Sequence, residues 1–106
     1  ACGGIGVRHG AAEFAHSGEL GYWLSETHWG RGLMTRAVRA ALPVFVVRFD
    51  LRRVTAYAAT TNLASIRVLE NAGFQREGLM RARAIRDGDV QDHVVFGWID
   101  EARLPR

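Results

Sequence analysis

Hydrophobic and polar residues alternate from Gly3 to Arg8, with the two-residue period of a strand. His9 to Ser17 is small and polar and reads as a loop. Alternation returns over Glu19-Leu20-Gly21-Tyr22-Trp23-Leu24, whose aromatic residues suit a pleated surface. Gly21 inside this second strand predicts a bulge or a close backbone approach. From Gly32 to about Phe49 the period lengthens to that of a helix. Leu33, Ala37, Ala41, Phe45 and Phe49 recur at every fourth position, flanked by Met34, Val38, Leu42 and Val46. Arg36, Arg39 and Arg48 fall off this stripe. Pro43 removes one backbone donor from the run and predicts a bend on its solvent side.

Arg53 to Ala58 alternates again and predicts a third strand. Asn62 is a suitable N-cap for a helix from Leu63 to Ala72 that turns Ile66 and Leu69 inward. Gly73 is placed for a left-handed C-cap, with Phe74 beyond it for the hydrophobic contact that closes such caps. Two more strands follow, at about Gln75 to Ile85 and Gln91 to Trp98. Between them Arg86-Asp87-Gly88-Asp89 carries the Asp-Gly pair of a tight hairpin. The resulting order, β-β-α-β-α-β-β, predicts an α/β (α+β) fold: a mixed central sheet flanked by helices, parallel where a crossover occurs.

At 106 residues the chain has the size of a single domain, spanning 1–106. No apolar run approaches the roughly 20 residues of a membrane-spanning helix, and Ala1-Cys2-Gly3-Gly4 does not read as a secretion signal. A single cysteine, Cys2, excludes an internal disulfide and fits a reducing compartment, so cytoplasm is the expected location. The chain opens in a predicted strand without an initiator methionine, as a fragment of a longer protein would. All basic residues are arginine, the net charge is +3, and Arg52-Arg53 is the only adjacent pair. A nucleic-acid surface needs a basic stripe or patch, which this dispersion does not provide. A mild positive excess favours an anionic ligand instead. His9, His16, His28 and His93 are too scattered, with one cysteine, to suggest a zinc site.

The segment Glu19 to Met34 holds the clearest chemistry. Gly30 and Gly32 flank Arg31 where a strand hands over to a helix. Glycine allows positive φ and close approach of the backbone to a ligand. The first helical turn offers unpaired N–H groups and the positive end of the helix dipole, so it binds anions without a lysine. Arg31 and Arg36 add charge at its edge. By itself a Gly-x-Gly pair before a helix is equally well a structural turn.

Three motifs occur in one order: Gly21-Tyr22-Trp23-Leu24, then Trp29-Gly30-Arg31-Gly32-Leu33, then the run from Asn62 through Leu69-Glu70-Asn71-Ala72-Gly73-Phe74. Together they resemble the general-control-related N-acetyltransferase (GNAT) superfamily, in particular the branch that acetylates N-termini of ribosomal proteins (RimJ/RimL type). The hairpin Asp87-Gly88 leading to Asp92 is similar to the end of that branch. The resemblance runs from about Gly3 to Trp98. It implies a GNAT-like fold that lacks the family's first strand and helices, which form much of the acceptor site.

The resemblance also implies acetyl-CoA (coenzyme A) as co-substrate. Tyr22, Trp23 and Leu24 would pair their backbone with the pantetheine arm. Trp29, Gly30, Arg31, Gly32, Leu33, Met34 and Thr35 would hold the pyrophosphate, through N–H groups from Gly30 onward. Asn62 and Ser65 would lie beside the pantetheine and the thioester. Two departures stand out. Thr27 occupies the place of a Gln or Arg that often opens the loop, and Leu69 replaces a tyrosine that serves many relatives as proton donor. Ser65 is the nearest substitute by sequence.

Catalytic candidates are therefore Ser65, Asn62 and Glu19. An α-amino group with pKa near ~8 needs only mild help in losing its proton. Glu19 would accept that proton through a water, or else is a strand-end surface carboxylate. His28 beside the phosphate loop titrates in a useful range but reads equally as a solvent-facing loop residue. Asp92 and His93 either line an acceptor site or serve packing. Asn62 has its cap to explain it as well. The reading is an N-acetyltransferase acting on a protein N-terminus or a small-molecule amine, with no nucleic-acid or membrane partner. A homodimer would cover the exposed sheet edge. The alternative is a non-catalytic acetyl-CoA-binding or assembly module.

Overall fold

The computed structural model describes residues 3–10, 12, 15–24 and 32–104. Its elements run β1 (Gly3–His9), β2 (Ser17–Leu24), α1 (Leu33–Arg48), β3 (Arg53–Ala59), α2 (Leu63–Asn71), β4 (Gln75–Arg86) and β5 (Asp89–Ile99). A short 3-10 turn at Glu101–Arg103, which the sequence pattern did not predict, follows them. The five strands form one sheet in the order β1-β2-β3-β5-β4. β2 and β3 are parallel, and the other three pairings are antiparallel. The expected α/β order and mixed sheet are both present.

Both helices pack on one face. β3 turns Val54, Ala56 and Ala58 to that side, where they meet Val38, Leu42 and Val46 of α1, Ile66 and Leu69 of α2, and Phe96 of β5. Val54, Leu51, Leu69, Val38 and Phe96 are fully buried. Among the described residues no helix covers the opposite face, which carries Arg53, Thr55, Tyr57 and Ala59 of β3 in half-buried positions.

The stripe predicted for α1 is displaced by one residue. Met34, Val38, Leu42 and Val46 are its buried row, whereas Leu33 is exposed and Ala37, Phe45 and Phe49 only border the core. One residue is a rotation of about 100° around the helix. The buried row joins the core with Val54, Ala56 and Ala58 of β3, and the two phenylalanine rings lie at the margin, tilted by 35° with centroids 6.3 Å apart. Pro43 lies within α1 on an exposed position, where the carbonyl it leaves without a donor is open to water. Gly21 forms no bulge: β1 and β2 pair without a register shift, and Gly21 opposes Gly6. The bulges lie in β4, between Arg76 and Gly78 and between Met80 and Ala84.

The helix ends follow their sequences. At the end of α2, Gly73 takes φ +97°. Its N–H reaches Glu70 O at 3.1 Å and the Phe74 N–H reaches Leu69 O at 3.0 Å. These are the paired bonds of a Schellman cap, with buried Phe74 completing it against Leu69. α1 ends the same way with Asp50, not glycine, in the left-handed position at φ +52°, and Leu51 N–H bonded to Val46 O at 2.9 Å. Arg39 joins the two helices by donating from Nε to Asn71 O at 2.9 Å, a cation at the negative end of α2. The Asp87-Gly88 hairpin forms as predicted, with φ +53° and +83° as a two-residue primed turn requires.

Gly18 is sterically obligatory. A Cβ there would lie 2.9 Å from Val7 Cγ2 and 3.0 Å from Leu51 Cδ1. Gly18→Ala is expected to cost about 1–3 kcal/mol, the usual penalty of overpacking, read as a lower denaturant midpoint at constant slope. An unchanged midpoint would mean that Val7 and Leu51 yield freely.

A second glycine permits a bridge across β5. Arg53 of β3 and Glu77 of β4 pair above Gly97, where an added Cβ would collide with the Glu77 carboxylate. The hydrogen bond from Arg53 holds the Glu77 carboxyl below its ordinary range. A lowered folded pKa contributes stability above the unfolded value and loses it as pH falls through the folded one. We expect Glu77→Gln to be less stable than the parent at pH 7, by under about 1 kcal/mol for so exposed a pair, and the gap to close as pH falls below the ordinary carboxylate range. Gly97→Ala should behave alike. A gap independent of pH would assign the loss to packing.

Candidate functional site

The ladder between β2 and β3 covers only Ser17–Glu19 against Arg53–Thr55. Beyond it, β2 pairs with β1 alone, as far as Leu24 opposite Gly3, and β3 pairs with β5 alone, as far as Ala59 opposite His93. The two parallel strands therefore part after Glu19 and Thr55. A wedge opens between them, edged by backbone that no ladder joins. Amide groups along such a gap need partners, and an extended ligand bearing amides can supply them.

Each strand that borders the wedge leads into a helix. Gly32 stands at the N-cap of α1 with φ +67°, a conformation that favours glycine, and nothing lies within 4 Å of where its Cβ would be. The first α1 bond runs from Arg36 N–H to Gly32 O at 3.1 Å. The N–H groups of Leu33, Met34 and Thr35 precede it, with no side-chain cap and no acidic residue in the first turn. The Met34 side chain is in the core, so only its backbone is available to a ligand. α2 is different: Asn62 Oδ1 accepts from Ser65 N–H at 3.1 Å, the N-cap predicted from sequence. Tyr22–Leu24 run along the wedge in β2. Trp29, Gly30 and Arg31, with Thr27 and His28, lie outside the described residues.

Glu19 projects from the other face of the sheet. It pairs across the β1–β2 ladder with Arg8, whose Nη2 is 3.6 Å from Glu19 Oε2, and Arg83 Nη2 lies 3.8 Å from Oε1. The Arg83 guanidinium stacks 3.6 Å above the Tyr57 ring. An open cavity of about 300 Å³ is lined here by Arg8, Ser17, Glu19, Thr55 and Tyr57. Burial, and next the charge of Arg83, push the nearby His93 imidazole below its ordinary range against the opposing pull of Asp92. The imidazole Nδ1 has no hydrogen-bond partner among the described residues.

The predicted residues thus divide between two sides. Asn62 and Ser65 open a helix packed on the covered face, and Glu19 faces the cavity on the bare one. Arg8, Tyr57 and Arg83 were not foreseen as site residues. Arg8 was recoverable from the β1–β2 register, but Arg83 reaches Tyr57 from the far edge strand, which no local pattern announces.

The family model described as Acetyltransferase (GNAT) domain matches residues 1–75. The chain belongs to the GNAT acetyltransferase family. This GNAT chain is 41% identical over 77 residues to the probable N-acetyltransferase YjcK of Bacillus subtilis, covering 73% of its own length and 42% of the relative's. It is 33% identical over 63 residues to a ribosomal-protein-serine acetyltransferase of Escherichia coli, covering 59% of the chain and 35% of that protein. A solved ribosomal-protein alanine acetyltransferase from Vibrio fischeri superposes with TM-score 0.89 at 27% identity, over 98% of this chain and 57% of that one. RimL in complex with coenzyme A superposes with TM-score 0.75 at 30% identity, over 82% and 49%. The chain spans about half the length of the proteins it matches. Among the described residues no helix is long and apolar enough to cross a membrane.

Acetyl-CoA is the co-substrate of the GNAT family, and the residues present suit it. The wedge offers backbone to an amide-bearing arm, and the α1 start offers N–H groups in a first turn that holds no acidic residue. Asn62 should show its capping role separately. Asn62→Ala is expected to destabilise the protein by about 1 kcal/mol, with Asn62→Asp or Asn62→Ser near parental, measured by thermal unfolding without ligand. Equal loss in all three variants would assign Asn62 another structural contact.

Proposed function

We propose that this chain is the co-substrate-binding part of an acetyl-CoA-dependent N-acetyltransferase whose acceptor is a primary amine, either a protein N-terminal α-amino group or a small-molecule amine. The observation that carries the reading is the wedge between β2 and β3, bordered by an α1 start with neither a capping side chain nor a first-turn acid. In this reading the backbone of Tyr22, Trp23 and Leu24 pairs with the pantetheine arm. The N–H groups of Leu33, Met34 and Thr35, with the loop Trp29-Gly30-Arg31-Gly32, hold the pyrophosphate. Asn62 and Ser65 lie beside the thioester. Acetyl-CoA, when bound, supplies the activated acyl group that the amine takes up.

The remaining roles fall to the chain itself. Glu19, at the mouth of the wedge on the bare face, takes the amine's proton through a water. Ser65 is the hydroxyl assigned to return a proton on the covered face. Leu69 takes no part, being fully buried and without a proton to give. Relatives named for acetylating ribosomal proteins support a protein N-terminus as acceptor. The same reading assigns a second copy to the outer edge of β4, where Leu79 and Met80 are exposed; a monomer by light scattering removes that part alone. A non-catalytic acetyl-CoA-binding module is the second reading, favoured by the open face that no described helix covers.

Calorimetry is expected to show acetyl-CoA binding, and coenzyme A release with a panel of peptides and amines to show turnover. Binding without turnover selects the module, and no binding at millimolar acetyl-CoA defeats both readings. Gly32→Val should weaken binding about tenfold or more, because a branched side chain at positive φ is strained by ~1–2 kcal/mol and intrudes on the phosphate. Gly32→Asn, which tolerates that φ, reports on the intrusion alone. Glu19→Gln should lower kcat about a hundredfold, as loss of a general base does, without weakening acetyl-CoA.

A further inference from the structure

The bulge in the outer strand leaves one cation that the roles above do not use. Between Met80 and Ala84 β4 advances four residues while β5 advances two, from His93 to Gln91. Ala82 within this bulge takes φ +52°, which a residue with a Cβ adopts only under strain. Its N–H, displaced from the ladder, donates to Asp92 Oδ1 at 2.7 Å. Asp92 is itself anchored, because its main-chain oxygen accepts from Thr60 N–H at 3.0 Å. The bulge therefore has a fixed support, and the residue after Ala82 is Arg83.

Arg83 crosses β5 to lie over Tyr57. Among the described residues its guanidinium makes no hydrogen bond, and its approach to Glu19, at 3.8 Å, is longer than a charge-assisted bond of ~2.8 Å. Arg8 stands off the same carboxylate at 3.6 Å. Two guanidiniums thus approach one carboxylate of the cavity wall, neither at hydrogen-bonding distance, and Asp92 is occupied by the Ala82 N–H. A planar fork that no described residue hydrogen-bonds, braced on an aromatic ring beside an open cavity, is suited to a carboxylate. It is poorly suited to a cationic group.

We propose that Arg83 is an acceptor-recognition residue that binds a carboxylate carried by the acceptor amine, and that Asp92 is the positioning residue that holds the β4 bulge presenting it. This rests on the acetyltransferase reading above. The carboxylate belongs either to an acidic side chain close behind a peptide's N-terminus or to a free amino acid, and the two sources share the same recognition.

The test is equilibrium binding of acceptors to the 106-residue chain by calorimetry, followed by coenzyme A release. C-terminally amidated tetrapeptides with aspartate, asparagine or lysine at the second position form one arm, and a free amino acid against its amide forms the other. The parent should prefer the acidic peptide, or the free amino acid, over its neutral match by about tenfold, as hydrogen bonds to a charged group allow. Arg83→Gln should abolish that preference and leave the neutral ligands within about twofold, with Arg83→Lys restoring part of it. Asp92→Ala should lose the same preference, whereas Asp92→Asn keeps an oxygen for the Ala82 N–H and should rescue it. In turnover the loss should fall on KM, not kcat. No binding of any acceptor, no preference in the parent, equal weakening across the panel, or failure of Asp92→Asn where the protein remains folded would each overturn the proposal. A retained preference in binding with no turnover for any acceptor would instead count against the acetyltransferase reading.

Discussion

β2 and β3 share a ladder over three residues and then separate, and each must find its remaining hydrogen bonds elsewhere. β1 holds β2 from Gly18 to Leu24, and β5 holds β3 along its whole length. Without those outer partners the strands would have no reason to stay extended past Glu19 and Thr55, since unpaired buried amides are costly. The short ladder is also closely packed. Gly18 sits in it against Val7 and Leu51, with no room for a methyl group. A rigid closed end and an open far end follow from one local arrangement.

That arrangement divides the molecule into two faces with different tasks. One is apolar and carries both helices, whose starts succeed the parting strands. The α2 start is satisfied internally by Asn62, whereas the α1 start has no side-chain cap. The other face is polar and built from single contributions of several strands: Arg8 from β1, Glu19 from β2, Tyr57 from β3 and Arg83 from β4. Because side chains alternate along a strand, Glu19 faces the cavity while Leu20, its neighbour, joins the core. The wedge lies between the two faces.

Most of the covered side was legible in the sequence because it obeys local rules. Asn62 before an apolar-periodic run, Gly73-Phe74 after it, and Asp87-Gly88 between alternating strands each specify a cap or a turn within a few residues. The structure contains all three. The misreadings come from non-local causes. Which of two adjacent rows in α1 is buried is decided by the tertiary surface it meets, and Met34, Val38, Leu42 and Val46 displaced the row that began at Leu33. Gly21 is flat in its ladder, and the strongest departure from regular pairing falls instead at Arg81-Ala82-Arg83, where no glycine or proline marks it. The bare face was the least legible, because its members meet only through the register of four strands.

Asp92 shows why such a bulge persists without glycine. Left-handed alanine is strained, and a ladder amide turned away from its strand loses its partner, so an isolated bulge of this kind would relax into regular pairing. The Asp92 side chain supplies the missing acceptor for Ala82, while its main-chain oxygen is held by Thr60 in the turn that leads from β3 into α2. The two attachments lie on different elements, so moving the bulge would disturb the approach to α2, and shifting that turn would disturb the bulge. Regular pairing of β4 would return Arg83 to an alternating strand position and change its reach toward Tyr57 and Glu19. The polar face and the start of α2 are therefore braced through one aspartate, and the geometry on one side of the wedge constrains that on the other.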